Sequence, residues 1–192
     1  EILAQARERG SGGPMSQVST GSTGSTVSTE YTTIFGSLDD YEKGRVVVID
    51  DDPKAYVFSN IFEVANMSQP YEKVAVGKNL EYVLETIRCE GTSEWRATPH
   101  DEFALVMDGT VRIELLDPAE RHVAPDAQGS IAVAGEPAGT PMGRITASRG
   151  HMAMLPAGRC YRFHCDGVGV ILLQTIEGPD TIYRWSEICQ TD

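Results

Sequence analysis

The chain has only four histidines, and their spacing is uneven. His100 and Glu102 stand two apart in "TPHDEFALVM". Positions i and i+2 of a strand share a face, so an imidazole and a carboxylate could converge on one cation if a third donor joined them. The other histidines are poorly placed to be that donor. His122 lies in a Pro/Gly-rich stretch and His151 opens a strand-like run. His164 follows Tyr161 by three residues, which on a strand puts the two on opposite faces. The plainer reading of His100 is a solvent-facing or hydrogen-bonded imidazole. In "TSEWRATPH", Trp95 offers an indole that can stack on an aromatic ring while its N–H donates. Its plainer role is an aromatic packed at a strand end. Arg96, next to it, has no lone pair to give a metal and is always charged.

These residues sit in a chain built of short strands. From residue 45 on, "RVVVID", "YVFSNIFEV", "EKVAVG" and "LEYVLETIRC" are rich in Val, Ile, Phe and Tyr and are separated by Asp, Pro, Gly and Asn. "NLEYVLE" reads as a long strand with alternating faces. "EFALVM", Asp108–Gly109 and "TVRIELL" read as a hairpin, with Asp-Gly supplying the tight turn. Residues 117–143 read as loop. Strands resume at "GRITAS", "HMAMLP", "CYRFHC" and "GVILLQTIEG", and "TIYRWSEIC" closes the chain as a strand and a short final turn. Many short strands with no long helical period predict an all-β sandwich or barrel. Residues 10–38, "GSGGPMSQVSTGSTGSTVSTEYTTIFGSL", are too polar to fold alone. They predict an N-terminal arm over residues 1–40, lying on a partner or on its own domain, ahead of one domain over 41–192.

A net charge of −12 and a pI near 4.7 argue against a nucleic-acid or anionic-membrane partner. No apolar run approaches the length of a membrane span, and "EILAQARERG" lacks the apolar core of a secretory signal. Cys89, Cys160, Cys165 and Cys189 have no Cys-x-x-Cys spacing. They predict buried free thiols and a reducing cytoplasm. The "DDD" run at 50–52 reads as a solvated turn.

Two spacings carry a resemblance. Glu102, six residues and Gly109 form one. Gly150, five residues, then Pro156, Ala157 and Gly158 form the other, followed by two residues and then Tyr161. Both resemble the paired signatures of the cupin family, which implies a cupin-type β-barrel or jelly roll. By that resemblance Arg96, Thr98 and Tyr161 stand where metal cupins carry histidines, and Glu102 alone survives of the four ligand positions. One carboxylate beside a guanidinium cannot hold a transition metal. The resemblance therefore implies a degenerate, metal-free cavity of Arg96, Thr98, Glu102 and Tyr161, in which Glu102 pairs with Arg96 or accepts from Tyr161.

The longer strings "KVAVGKNLEYVLETIRCEGTSEWRATPHDEFALVMDG", "RGHMAMLPAG" and "LLQTIEGP" resemble the small subunit of two-component hydroquinone 1,2-dioxygenases over residues 45–189. That resemblance implies a heterotetramer with a larger, cupin-like subunit that holds the Fe(II). This chain would then be inactive alone and would help to form the pocket for a small phenolic substrate and O2. Ring cleavage would yield 4-hydroxymuconic semialdehyde, and Trp95 would reach the substrate. Two other readings stay open at the level of sequence. One is a stand-alone metal-free cupin that binds a small aromatic near Arg96, Tyr161 and Trp95. The other is a metalloenzyme built on His100 and Glu102.

Overall fold

In a computed structural model, residues 36–42, 47, 49–51 and 59–188 are described. The predicted arm over 1–40 lies outside these residues except for its last five. The strand expected at "RVVVID" lies partly outside them, and Val47 and Ile49 are exposed coil.

Ten strands of the described residues join in one curled sheet, as the cupin-type expectation requires. In chain order they are β1 Lys73–Asn79, β2 Tyr82–Thr92, β3 Trp95–Ala97, β4 Glu102–Asp108, β5 Thr110–Pro118, β6 Ile131–Val133, β7 Gly139–Ser148, β8 Met152–Leu155, β9 Cys160–Ile176 and β10 Thr181–Ile182. The seventeen-residue β9 is the spine. It pairs with β2 over most of its length and with β3 at Tyr161 and Cys160. It also pairs with β4 through residues 170–174 and with β5 through residues 160–164. "CYRFHC" and "GVILLQTIEG", read as separate strands, are thus one.

The hairpin expected at Asp108–Gly109 is not formed. β4 bonds to β8 and β9, and β5 to β7 and β9, so the two lie end to end along the same spine. Gly109 still supplies the positive φ, +73°, but for another reason. A Cβ there would stand 2.8 Å from the Gly169 Cα and the Val168 carbonyl, so only glycine lets the bend press against β9. "NLEYVLE" is likewise interrupted. β1 ends at Asn79, Leu80 takes φ +57°, and β2 starts at Tyr82. The loop expected through residue 143 contains β6 and the first residues of β7.

Alternation along the strands sets the core. Glu102, Ala104 and Val106 point inward from β4, and Val83, Glu85, Ile87 and Cys89 are buried along β2. Ile113, Phe163, Ile171 and Leu173 complete the apolar interior with Leu155. "YVFSNIFEV" was expected to be a strand, yet its second half is helix α1, Ile61–Met67. The Asn60 side chain accepts from the Phe62 N–H and caps it. Phe62 and Ala65 then pack on Val170, and Val64 on Val74, covering part of the outer sheet face. That packing outweighs the β propensity of Ile, Phe and Val. Leu38 and Tyr41 pack against the Phe62 cluster, and the Leu38 N–H donates to Asp108 Oδ2 at 2.7 Å. A final short helix, α2, spans Trp185–Ile188. Cys89, Cys160 and Cys165 are buried free thiols, while Cys189 lies outside the described residues.

Candidate functional site

The inner face brings together three of the four predicted cavity residues through one hydrogen-bonded chain. Glu102 is fully buried at the start of β4. A buried carboxylate needs a donor for each oxygen, and it has both. The Tyr161 hydroxyl donates to Oε2 at 2.6 Å and the Thr175 hydroxyl to Oε1 at 2.6 Å. Burial, reinforced by the Glu102 charge, keeps the Tyr161 phenol protonated well beyond its ordinary range. His100 continues the chain. Its Nε2 lies 3.0 Å from the Thr175 hydroxyl and 3.2 Å from the Ile176 N–H. Its Nδ1 lies 3.2 Å from the buried Thr98 hydroxyl. Partial burial lowers the His100 pKa despite the nearby Glu102 charge, which agrees with a neutral imidazole.

Arg96 is the fourth cavity residue and does not pair with Glu102. Its Cα partner across the sheet is Tyr161, but its guanidinium bonds elsewhere. Nη2 donates to Asp180 Oδ2 at 2.5 Å and to the Ser130 carbonyl at 2.9 Å, and Nε to the Ser130 hydroxyl at 3.2 Å. Ser130 also accepts from Lys73 Nζ at 2.8 Å, and Lys73 lies 3.0 Å from Glu85. The Thr181 hydroxyl donates to the other Glu85 oxygen at 2.7 Å. Lys73 and Glu85 are both buried, and burial raises the Glu85 pKa against the pull of Lys73. The sequence reading missed this pair, although its signal was there: Glu85 falls in phase with Val83 and Ile87 on the inward side of β2.

These groups do not fit a bound transition metal. Arg96 has no lone pair to give, and both Glu102 oxygens are engaged. Tyr161 and Thr175 spend their protons on that carboxylate, and His100 Nε2 accepts from the backbone. Opening the set to a cation would break at least two buried hydrogen bonds.

Trp95 lies on the other face. It is adjacent to Arg96 on β3, so the two side chains point oppositely. It packs with Ala97, Leu116, Val123, Val133 and Cys160, apart from the cavity network. Its Nε1–H donates to Glu136 Oε2 at 2.8 Å, and the Arg162 guanidinium stands 4.6 Å from the ring centroid. Arg162 is held by Glu114 at 2.7 Å and Glu136 at 2.6 Å. Trp95 with Arg162 and Glu136 borders a cleft of about 460 Å3. A separate cavity of about 640 Å3 reaches Arg96 and Tyr161.

Among solved structures, a chain in the crystal structure of hydroquinone 1,2-dioxygenase PnpCD in complex with Cd2+ and 4-hydroxybenzonitrile is 49% identical. The match covers 84% of this chain and 98% of that one, with a TM-score of 0.80. A chain in the crystal structure of hydroquinone 1,2-dioxygenase from Sphingomonas sp. TTNP3 with 4-hydroxybenzoate bound is 52% identical. Coverage is 85% and 99%, and the TM-score is 0.82. A second kind of match, in the structure of PnpCD in complex with Fe3+, shares the fold alone. It has 12% identity and a TM-score of 0.54 over 74% of this chain, but only 40% of the longer matched chain. No protein-family model and no curated protein matches the chain.

Proposed function

We infer this chain's role from its family: the chain belongs to the hydroquinone 1,2-dioxygenase subunits. Its place is in a dioxygenase assembly. Within that assembly it serves as the subunit without the metal, joined to a larger cupin-like chain that holds Fe(II). The assembly converts hydroquinone and O2 to 4-hydroxymuconic semialdehyde in the cytoplasm. Among the described residues no helix is long and apolar enough to cross a membrane.

The observation that carries this reading is the closed hydrogen-bond set on Glu102. Every group that could turn toward a metal is already spent on a neighbour. The occurrence of a longer chain of the same fold under the same enzyme name supports a larger cupin-like partner. The outer sheet face supports it as well. Tyr82 and Leu84 of β2 and Met152 and Met154 of β8 are all exposed by 41–65%, and Phe103, Leu105 and Leu172 lie between them on the same face. A largely apolar face over four strands, broken at Gln174, is characteristic of a protein interface.

Trp95 is the residue of this chain proposed to meet the substrate, at the edge of a pocket completed by the larger subunit. A phenol ring would approach it through the cleft it borders with Arg162 and Glu136. The experiment is reconstitution: this chain, the larger chain, and both together, each assayed anaerobically loaded with Fe(II) for O2 uptake on hydroquinone. Activity from the pair alone supports the reading; turnover by this chain alone overturns it.

A further inference from the structure

We propose that the barrel cavity of this chain is itself a binding site for a small carboxylate with an apolar body, held by Arg96 in exchange for Asp180. The cavity, about 640 Å3, has the size of a small-molecule site. Its floor is apolar, formed by Ile87, Phe163 and Leu173, each no more than 3% exposed. The same cavity is bordered by Arg96, which stands on a buried scaffold of Ser130 and Lys73. A planar guanidinium over an apolar floor is matched to a carboxylate carrying a ring or a short chain.

Arg96 already holds a carboxylate, and that carboxylate belongs to a residue at the rim. Asp180 is 46% exposed, whereas Arg96 is 14% exposed. The backbone on either side of Asp180 is pinned. The Gly178 N–H donates to the Thr181 hydroxyl at 3.0 Å, and the Thr181 N–H to the Gly178 carbonyl at 3.1 Å. Gly178 also lies against Gly129, where a Cβ would come within 2.3 Å of the Gly178 Cα. The loop therefore stays in place while the Asp180 side chain is free to turn into water. An incoming carboxylate that replaces it keeps the guanidinium paired while the half-exposed Asp180 carboxylate turns to water. Adding an anion without that exchange would place it beside the lining carboxylates Glu72 and Glu94, with Lys73 committed to Glu85. Trp95 takes no part, because it faces away.

The test titrates the isolated full-length chain with 4-fluorobenzoate, followed by 19F NMR. The expected result is saturable binding that Asp180→Asn tightens by roughly fivefold, since the variant removes a rim-exposed competing ion pair. Arg96→Gln abolishes it. Absence of saturable binding in both the unmodified chain and Asp180→Asn overturns the proposal. So does binding that survives Arg96→Gln. Should Arg96→Gln fail to fold, Asp180→Asn decides alone, and an equal or weaker affinity overturns the proposal. The isolated chain carries the readout, so the result is independent of whether the chain joins a dioxygenase.

Discussion

Arg96 and Tyr161 are cross-strand partners, yet each bonds a different carboxylate: Arg96 takes Asp180 at the rim and Tyr161 takes Glu102 in the interior. One pair faces the cavity mouth and the other closes the barrel. The division separates what the chain needs in order to fold from what it can offer a ligand.

Tyr161→Phe should destabilise the chain by about 1–3 kcal/mol, because it leaves one oxygen of a fully buried carboxylate without its donor. Thr175→Val should behave alike through the other oxygen. Urea denaturation of both variants measures this. A loss below about 0.5 kcal/mol in each would mean that Glu102 is not held as a buried acceptor.

Lys73→Met should cost more, about 3–5 kcal/mol, because Glu85 would be left as a buried charge without its partner. The double variant Lys73→Met with Glu85→Leu should recover most of that loss, since apolar replacement of a buried pair is often close to neutral. Equal losses in single and double variants would show that the two residues are not energetically coupled.

His100 gives the chain a pH dependence of definite sign. Its folded pKa is lowered by burial below the ordinary 6.5, so the unfolded chain takes up a proton first as pH falls. The stability it contributes is present above the unfolded value and is lost as pH drops through 6.5 toward the folded pKa. His100→Asn should flatten this part of the curve. Urea midpoints at pH 7.5, 6.5 and 5.5 compare the two. A midpoint that rises on acidification, by an amount that disappears in His100→Asn, would contradict the assignment.

Trp95→Ala should raise KM for hydroquinone in the two-chain assembly by tenfold or more, with the chains still associated. Trp95→Phe should recover part of the effect by restoring a stacking face. Steady-state O2 uptake and size-exclusion chromatography read the two separately. Wild-type kinetics in Trp95→Ala would remove Trp95 from the pocket.

The barrel was legible in the sequence because its strands alternate and its two motif spacings survive substitution of three ligand positions. Gly109 and Gly158 hold their places, with φ +73° and +70°. The partner of Asp108–Gly109 was not legible. A local turn signal is the same whether the next strand folds back or runs on, and only the length of β9 decides it. The helix at Ile61 was hidden by its β-branched and aromatic composition, which packing on Val74 and Val170 overrode. At the site, Glu102 accepting from Tyr161 was readable as one of two options, since a buried carboxylate must find a donor. Asp180 as the partner of Arg96 was not readable, because the two are 84 residues apart and meet only when β9 and β3 pair.

The central claim is that this chain works in a dioxygenase without holding its metal. The most direct test is iron content after anaerobic Fe(II) loading and desalting, measured on this chain, on the larger chain and on the two together. The account predicts no retained iron on this chain, retained iron on the larger chain, and hydroquinone cleavage only by the pair. One iron per molecule of this chain purified alone, lost in Glu102→Gln or His100→Asn, would contradict it.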